Sequence, residues 1–261
     1  MARKPTFPQP TLSEEDGVRH LHLGTPWIQG SMRIARPNDL ELEYVQRMMA
    51  WMLLLPDKAW RGGTAVQLGL GAAAITKFML KRLRLPCVAV ELNPGVILAA
   101  HRWFALPEPG GKLQVLCADA GAYAADPAHA GSAAVLHVDM YDEQAAAPAL
   151  ESAEFYAACR QLLGEQGVMV VNLFSGPGHV RVLERNLQRI VAAFNQPGDS
   201  VWQLPPNRDG NLIAIALRDA TQSPLPTRAQ LLERADAVAQ RTGGLPAQRW
   251  ARLLKRLHPA R

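Results

Sequence analysis

The sequence predicts an α/β fold with a buried, mostly parallel sheet. Three observations predict it. From residue 64 onward, short apolar runs alternate with stretches of helical periodicity, the pattern of strands covered by helices on both faces. The first run, TAVQL at 64–68, breaks into Gly69-Leu70-Gly71 before a helical stretch. Three later runs each end in an acid: Glu91, Asp119 and Asp139. Carboxyl ends of parallel strands are where open sheets bind ligands.

Taken in order, residues 1–17 are polar and proline-rich and predict a loose start. VRHLHLG at 18–24 alternates apolar and polar residues and reads as a strand, with SMRIA at 31–35 as its hairpin partner. Asp39 is placed to cap a helix running to Pro56. Its apolar face is Leu42, Val45, Met49 and Met52, widened by Tyr44, Met48, Trp51 and Leu55. After TAVQL come a helix over 72–84, the strand PCVAVE at 86–91, and a helix opened by Asn93-Pro94. LQVLCAD at 113–119 and AAVLHVD at 133–139 are the next strands, followed by a helix over 149–163 and the strand GVMVVNLF at 167–174. A helix over 179–194 precedes two strands, 201–204 and 211–217, with no helix between them, so the last can run antiparallel. Seven strands in this layout make an AdoMet-dependent transferase, or Rossmann-like, fold with a small N-terminal β region. Two tail helices are expected, over 227–241 and 246–258, the second with a Trp250, Leu253, Leu254, Leu257 stripe. The implied organisation is a tail and hairpin region at 1–38, the α/β domain at 39–220, and a helical extension at 221–261.

Composition narrows the function. The chain has 261 residues, 48% hydrophobic and 20% charged, as soluble globular proteins do. Cys87, Cys117 and Cys159 lack Cys-x-x-Cys spacing, so neither a disulfide framework nor a zinc site is indicated. No apolar run is long enough to span a bilayer and the start lacks a signal-peptide core, so a cytoplasmic location is expected. The formal charge of +5 comes with no groove-reading motif, so a nucleic-acid partner is not expected.

A nucleoside site is the chemistry these residues suggest. Gly69 and Gly71 allow a tight turn and close approach of a ligand to the backbone. Glu91, ending the next strand, can accept both hydroxyls of a ribose. Residue 74 is Ala where a dinucleotide fingerprint has glycine, which favours an S-adenosylmethionine-type ligand over a pyrophosphate. Asp119 can receive an adenine amino group. Asp139 and Asp142 can hold a cationic amine and take its proton, and Tyr141 between them can wall the pocket. The bland alternatives are a sharp strand-to-helix connection at 69–74 and loop or capping roles for the acids.

These segments resemble the spermidine synthase, or polyamine aminopropyltransferase, family, and its bacterial spermidine-synthase-like group most closely, over about residues 18–218. GLGAAA at 69–74 stands where the family has Gly-Gly-Gly-Asp-Gly, and Glu91 of VAVELNP matches its ribose-binding acid. Asp119-Ala120 matches its Asp-Gly adenine motif, and Asp139-Met140-Tyr141-Asp142 its Asp-Ser-Ser-Asp catalytic loop. WIQGSM aligns Gln29 with the glutamine that touches the nucleoside, LEYVQRMM aligns Tyr44 with the active-site tyrosine, and Asn172 matches a glutamine after the fifth strand. The resemblance implies transfer of an aminopropyl group from decarboxylated AdoMet to a small cationic amine, without a metal, by a homodimer. Asp139, Asp142 and Tyr44 would be catalytic. Gln29, Gly69, Gly71, Glu91, Asp119 and Ala120 would bind the donor, and Tyr141 and Asn172 the substrate. Two departures stand out. Ala72 replaces the acid that holds the donor's amine, and Met140-Tyr141 is bulkier than paired serines. They keep two alternatives open: an AdoMet-dependent methyltransferase, and an inactive nucleoside-binding homologue.

Overall fold

The computed structural model describes residues 7–140, 148–176 and 179–258. Three strands, β1 (Pro10–Glu15), β2 (Val18–Leu23) and β3 (Gly30–Arg33), form an antiparallel sheet in that order. The expected hairpin is therefore present, and the expected loose start is corrected from Pro10 onward. PTLSEE carries no apolar alternation because β1 is an outer strand whose residues stay largely in solvent.

The helix expected over 39–55 begins later and changes pitch. Helix α1 spans Glu43–Arg47 and passes into tighter 3₁₀ turns over Met48–Leu53. Asp39 does not cap it; its carboxylate pairs with Arg36 at 3.5 Å and Arg82 at 3.3 Å. All six residues of the 3₁₀ segment are buried, so this stretch is core on every side rather than amphipathic. Helix α2 (Asp57–Trp60) follows.

The main sheet then builds through β4 (Thr64–Leu68), α3 (Ala74–Lys77, continued as a wide turn to Arg82), β5 (Cys87–Glu91), α4 (Pro94–Trp103) and β6 (Leu113–Cys117). Next come α5 (Ala120–Ala125), β7 (Ala133–Val138), α6 (Ala153–Leu162), β8 (Leu163–Phe174), α7 (Val180–Ala193), β9 (Ser200–Leu204) and β10 (Asn211–Leu217). Helices α8 (Arg228–Thr242) and α9 (Ala247–Leu253) and strand β11 (Lys255–Leu257) close the chain. The order across the sheet is β11-β9-β10-β8-β7-β4-β5-β6. The strands from β8 to β6 pair in parallel, and β10 runs antiparallel to both β8 and β9. All seven expected strands form. The tail adds an eighth: the second tail helix stops at Leu253 and β11 pairs antiparallel with β9.

Two cores flank the sheet. One contains Trp51, Trp60, Phe78, Ala99, Leu231 and Trp250 with the sheet residues Val135 and Val170. The other contains Tyr123, Tyr156, Leu162 and Ile190 with Leu136 and Val171. The tail docks on its own chain. Arg241 forks onto Asp57 with both contacts at 2.5 Å, and Arg234 donates to the Leu53 and Leu54 carbonyls that end the 3₁₀ segment.

The chain runs outward from β4 to β5 and β6, then returns to β7 on the other side of β4. This reversal opens a crevice at the carboxyl ends of β4 and β7, where ligands bind in doubly wound sheets.

Candidate functional site

Gly69 follows β4 and Asp139 follows β7, so both sit at the reversal. They are in backbone contact: the Asp139 N–H donates to the Leu68 carbonyl at 2.9 Å. Gly69 has φ +85, and a Cβ there would lie 2.1 Å from the Asp139 carbonyl oxygen. Only glycine fits this crossing, which positions the Asp139 side chain at the crevice. The loop continues left-handed at Gly71 (φ 51) and Ala73 (φ 56) before α3 begins.

Two side chains brace the loop. Gln67 donates to the Gly69 carbonyl at 2.6 Å and accepts from the Thr76 hydroxyl at 2.6 Å. Glu91 accepts the Leu70 N–H on one oxygen and the Asn93 N–H on the other, both at 2.9 Å. A carboxylate has about four lone-pair positions, so two remain for a ligand. Gln67 was not among the residues expected at the site. Its one sequence signal is a polar residue inside an apolar strand.

Asp139 is only partly exposed. Its Oδ1 accepts from Asn172 Nδ2 at 2.9 Å, and its Oδ2 from the Tyr44 hydroxyl at 3.2 Å. Burial holds its carboxyl above the usual carboxylate range, while these two donors pull the other way. Tyr44 reaches it from α1 and Asn172 from β8. Two distant segments, 95 and 33 residues away in sequence, thus converge on one carboxylate.

The space in front of Asp139 is an open cleft of about 310 Å³, lined by Gln29, Ser31, Tyr44, Gln67, Gly71 and Asp139, among others. Gln29 arrives on the turn before β3. Gly30 next to it presses on the loop: a Cβ on Gly30 would come within 2.7 Å of the Ala72 Cβ. Ala72 is buried beneath this strand. Glu91, Asp119 and Asn172 do not line the cleft: Glu91 ends β5, Asp119 lies just beyond β6, and Asn172 sits in β8. Asp119 caps α5 by accepting the Ala122 N–H at 2.7 Å, and Ala120 is the first residue of that helix. Tyr141 and Asp142 lie outside the described residues.

Lys77 was also not anticipated. It is fully buried one turn into α3, donates to the Phe104 carbonyl at the end of α4 at 2.6 Å, and burial pushes its ammonium down to about 8. His137, two residues before Asp139, is fully buried too and pushed down to about 3, hence neutral.

No protein-family model matches the chain. A polyamine aminopropyltransferase of Chromobacterium violaceum is 33% identical over 239 residues, covering 91% of this chain and 86% of the relative. Among solved structures, a probable spermidine synthase from Corynebacterium glutamicum superposes with a TM-score of 0.68 at 16% identity, covering 90% of this chain and 91% of that one. Human methyltransferase-like protein 13, solved in complex with SAH, gives a TM-score of 0.65 at 20% identity over 78% of this chain and 93% of that one. The last two likenesses concern the fold.

Proposed function

Because the chain belongs to the polyamine aminopropyltransferase family, we propose that it moves an aminopropyl group from decarboxylated AdoMet to a small cationic amine in the cleft before Asp139. The observation that carries this reading is the Asp139 carboxylate at the sheet reversal, held by Tyr44 and Asn172 and facing a cleft lined by Gln29 and the glycine loop.

The residues fit a nucleoside donor. Glu91 keeps free lone pairs beside the loop for the ribose hydroxyls, Asp119 keeps one oxygen for the adenine amino group, and Gly69 and Gly71 let the backbone come close. Gln29 lines the cleft, where it would touch the nucleoside. Asp139 orients the acceptor amine and takes its proton; a carboxyl raised by burial is better matched to that task than an exposed one. Tyr44 positions the amine, and Asn172 acts on it through the Asp139 carboxylate that it holds; Asp142 and Tyr141 keep the positioning and wall roles that the resemblance implies. The amine's lone pair forms the new carbon–nitrogen bond as the carbon–sulfur bond breaks, and its electrons return to sulfur in methylthioadenosine. In-line approach of the two reactants is what this positioning supplies.

Calorimetry with decarboxylated AdoMet, AdoMet and methylthioadenosine tests the reading, followed by turnover with a short diamine. Preference for the decarboxylated donor, with Asp139→Asn lowering turnover far more than nucleoside affinity, supports it. Absence of binding by all three ligands defeats the nucleoside site. One observation favours a second reading: Ala72 offers no charge for the donor's amine and has β3 packed over it. Preference for AdoMet, with methyl transfer, would move the assignment to a methyltransferase; binding without turnover would leave an inactive homologue.

A homodimer in the cytoplasm belongs to the same proposal. Residues Met48–Leu53 are covered by their own chain and so offer no interface. The N-terminal sheet does, through the open edge of β1 and the exposed Trp27, Ile28 and Ile34. Light scattering giving a mass near the 28.5 kDa chain mass at micromolar concentration would overturn it.

A further inference from the structure

We infer that Asn211 is a positioning residue: it fixes the side-chain amide of Asn172 so that this amide meets Asp139 as a donor. The inference rests on the reading of Asp139 as the group that takes the amine's proton.

Asn211 opens β10, and its backbone is held on both sides. Its N–H donates to Asn207 Oδ1 at 2.8 Å, and its carbonyl accepts from the Asn207 N–H at 3.0 Å. The preceding carbonyl, of Gly210, accepts from Ser175 through both the backbone N–H at 2.7 Å and the hydroxyl at 2.8 Å. From this anchored position Asn211 Nδ2 donates to Asn172 Oδ1 at 3.1 Å. Asn172 in turn donates through Nδ2 to Asp139 Oδ1 at 2.9 Å. The hydrogen bonds run in one direction, Asn211 to Asn172 to Asp139.

Direction matters because an amide presents an oxygen on one side and an NH₂ on the other, whereas an ionised carboxylate only accepts. With Asn211 donating to its oxygen, Asn172 has its NH₂ toward Asp139, the arrangement that suits the ionised form. Turned over, Asn172 would present an oxygen, which suits Asp139 only when protonated. Asn172 is 2% exposed, so water does not readily substitute for the missing donor. Burial already favours the protonated carboxyl, so the donors decide how far its titration is raised. Among the described residues, the ionisable group in contact with Asp139 is the Tyr44 phenol from α1; Asn172 on β8 also donates to it, Gly69 packs on its backbone, and the buried, neutral His137 lies two residues before it on β7.

The test reads Asp139 directly in the free protein. Carbon-13 labelling of aspartate carboxyls, with the Asp139 signal identified by its loss in Asp139→Asn, gives its titration midpoint. Asn211→Leu and Asn211→Ala, which lack the donor, should each raise that midpoint by about one pH unit. Asn211→Ser keeps a donor and should stay closer to the unaltered protein. In the transfer reaction the acidic limb of kcat should move by the same amount with KM little changed. An unmoved midpoint in either folded donor-less variant overturns the inference, as does an equal shift in Asn211→Ser, which marks a merely structural role. If Asp139→Asn retains full turnover, the proposed function falls, while the titration still reports whether Asn211 acts on Asp139.

Discussion

Replacing Glu91 by glutamine exchanges one acceptor oxygen for a donor where two backbone N–H groups converge. Glu91 now accepts from Leu70 N–H and Asn93 N–H, each at 2.9 Å. Whichever way the new amide turns, one of these N–H groups faces an NH₂ and loses its acceptor. A hydrogen bond to a charged group contributes about 1.5–3 kcal/mol, so Glu91→Gln should destabilise the protein by about 2 kcal/mol. For a domain of this size that is a fall of roughly 4–8 °C in Tm. A bound ribose also loses a charged acceptor, and a loss of about 2 kcal/mol in binding is an affinity decrease of roughly thirtyfold. Thermal unfolding and calorimetry with methylthioadenosine read the two effects separately. Gln67→Met is the control, because it removes the other brace of the loop and leaves the Glu91 carboxylate in place. A lower Tm with unchanged affinity would make Glu91 a loop anchor and remove it from the ligand site. Unchanged Tm and affinity together would refute the whole argument.

Gly69→Ala should cost more than about 4 kcal/mol, because the added methyl meets the Asp139 carbonyl at 2.1 Å in a left-handed backbone; urea unfolding with an ordinary small loss would contradict the crossing described above. Cys117 is exposed beside Glu91 in the β5–β6 register, whereas Cys87 and Cys159 are buried. A bulky thiol reagent should therefore label Cys117 alone in the native protein, and methylthioadenosine should slow the labelling; modification of a second cysteine, or no protection, counts against this placement. Lys77→Met addresses pH. The ammonium is lowered from 10.5 to about 8 in the folded chain, so its destabilisation is fully present below pH 8 and relieved as pH rises toward 10.5. Relative to Lys77→Met, the unaltered protein should gain about 2 kcal/mol between pH 7 and pH 9.5. A stability difference that stays flat over that range would show that Lys77 is not held as a buried cation.

What the sequence makes legible follows periodicity and punctuation. Apolar strands, the Gly69–Gly71 break and the acids that end three of the strands are local signals, and together they lead to the sheet reversal where Gly69 and Asp139 meet. Elements that depend on distant partners leave weaker marks. Among the described residues PTLSEE pairs with β2 alone and stays largely in solvent, so it has little buried alternation to display. KRL at 255–257 becomes a strand only because β9 offers an open edge. The MMAWML segment is buried on every side, so its periodicity does not reveal the tight 3₁₀ pitch. The candidate site follows the same rule one level down. Glu91 and Asp119 are legible as acids at strand ends, yet one braces a loop and the other caps a helix, since each sits beside unpaired backbone N–H groups. Asn172 and Asn211 lie 39 residues apart, and no local pattern joins them. Their link exists because β10 runs antiparallel to β8 and brings both amides to the same end of the sheet as Asp139. The antiparallel strand that closes this fold therefore also supplies the donor chain that reaches the carboxylate at its reversal, which is why Asn211 becomes visible only once the sheet has been assembled.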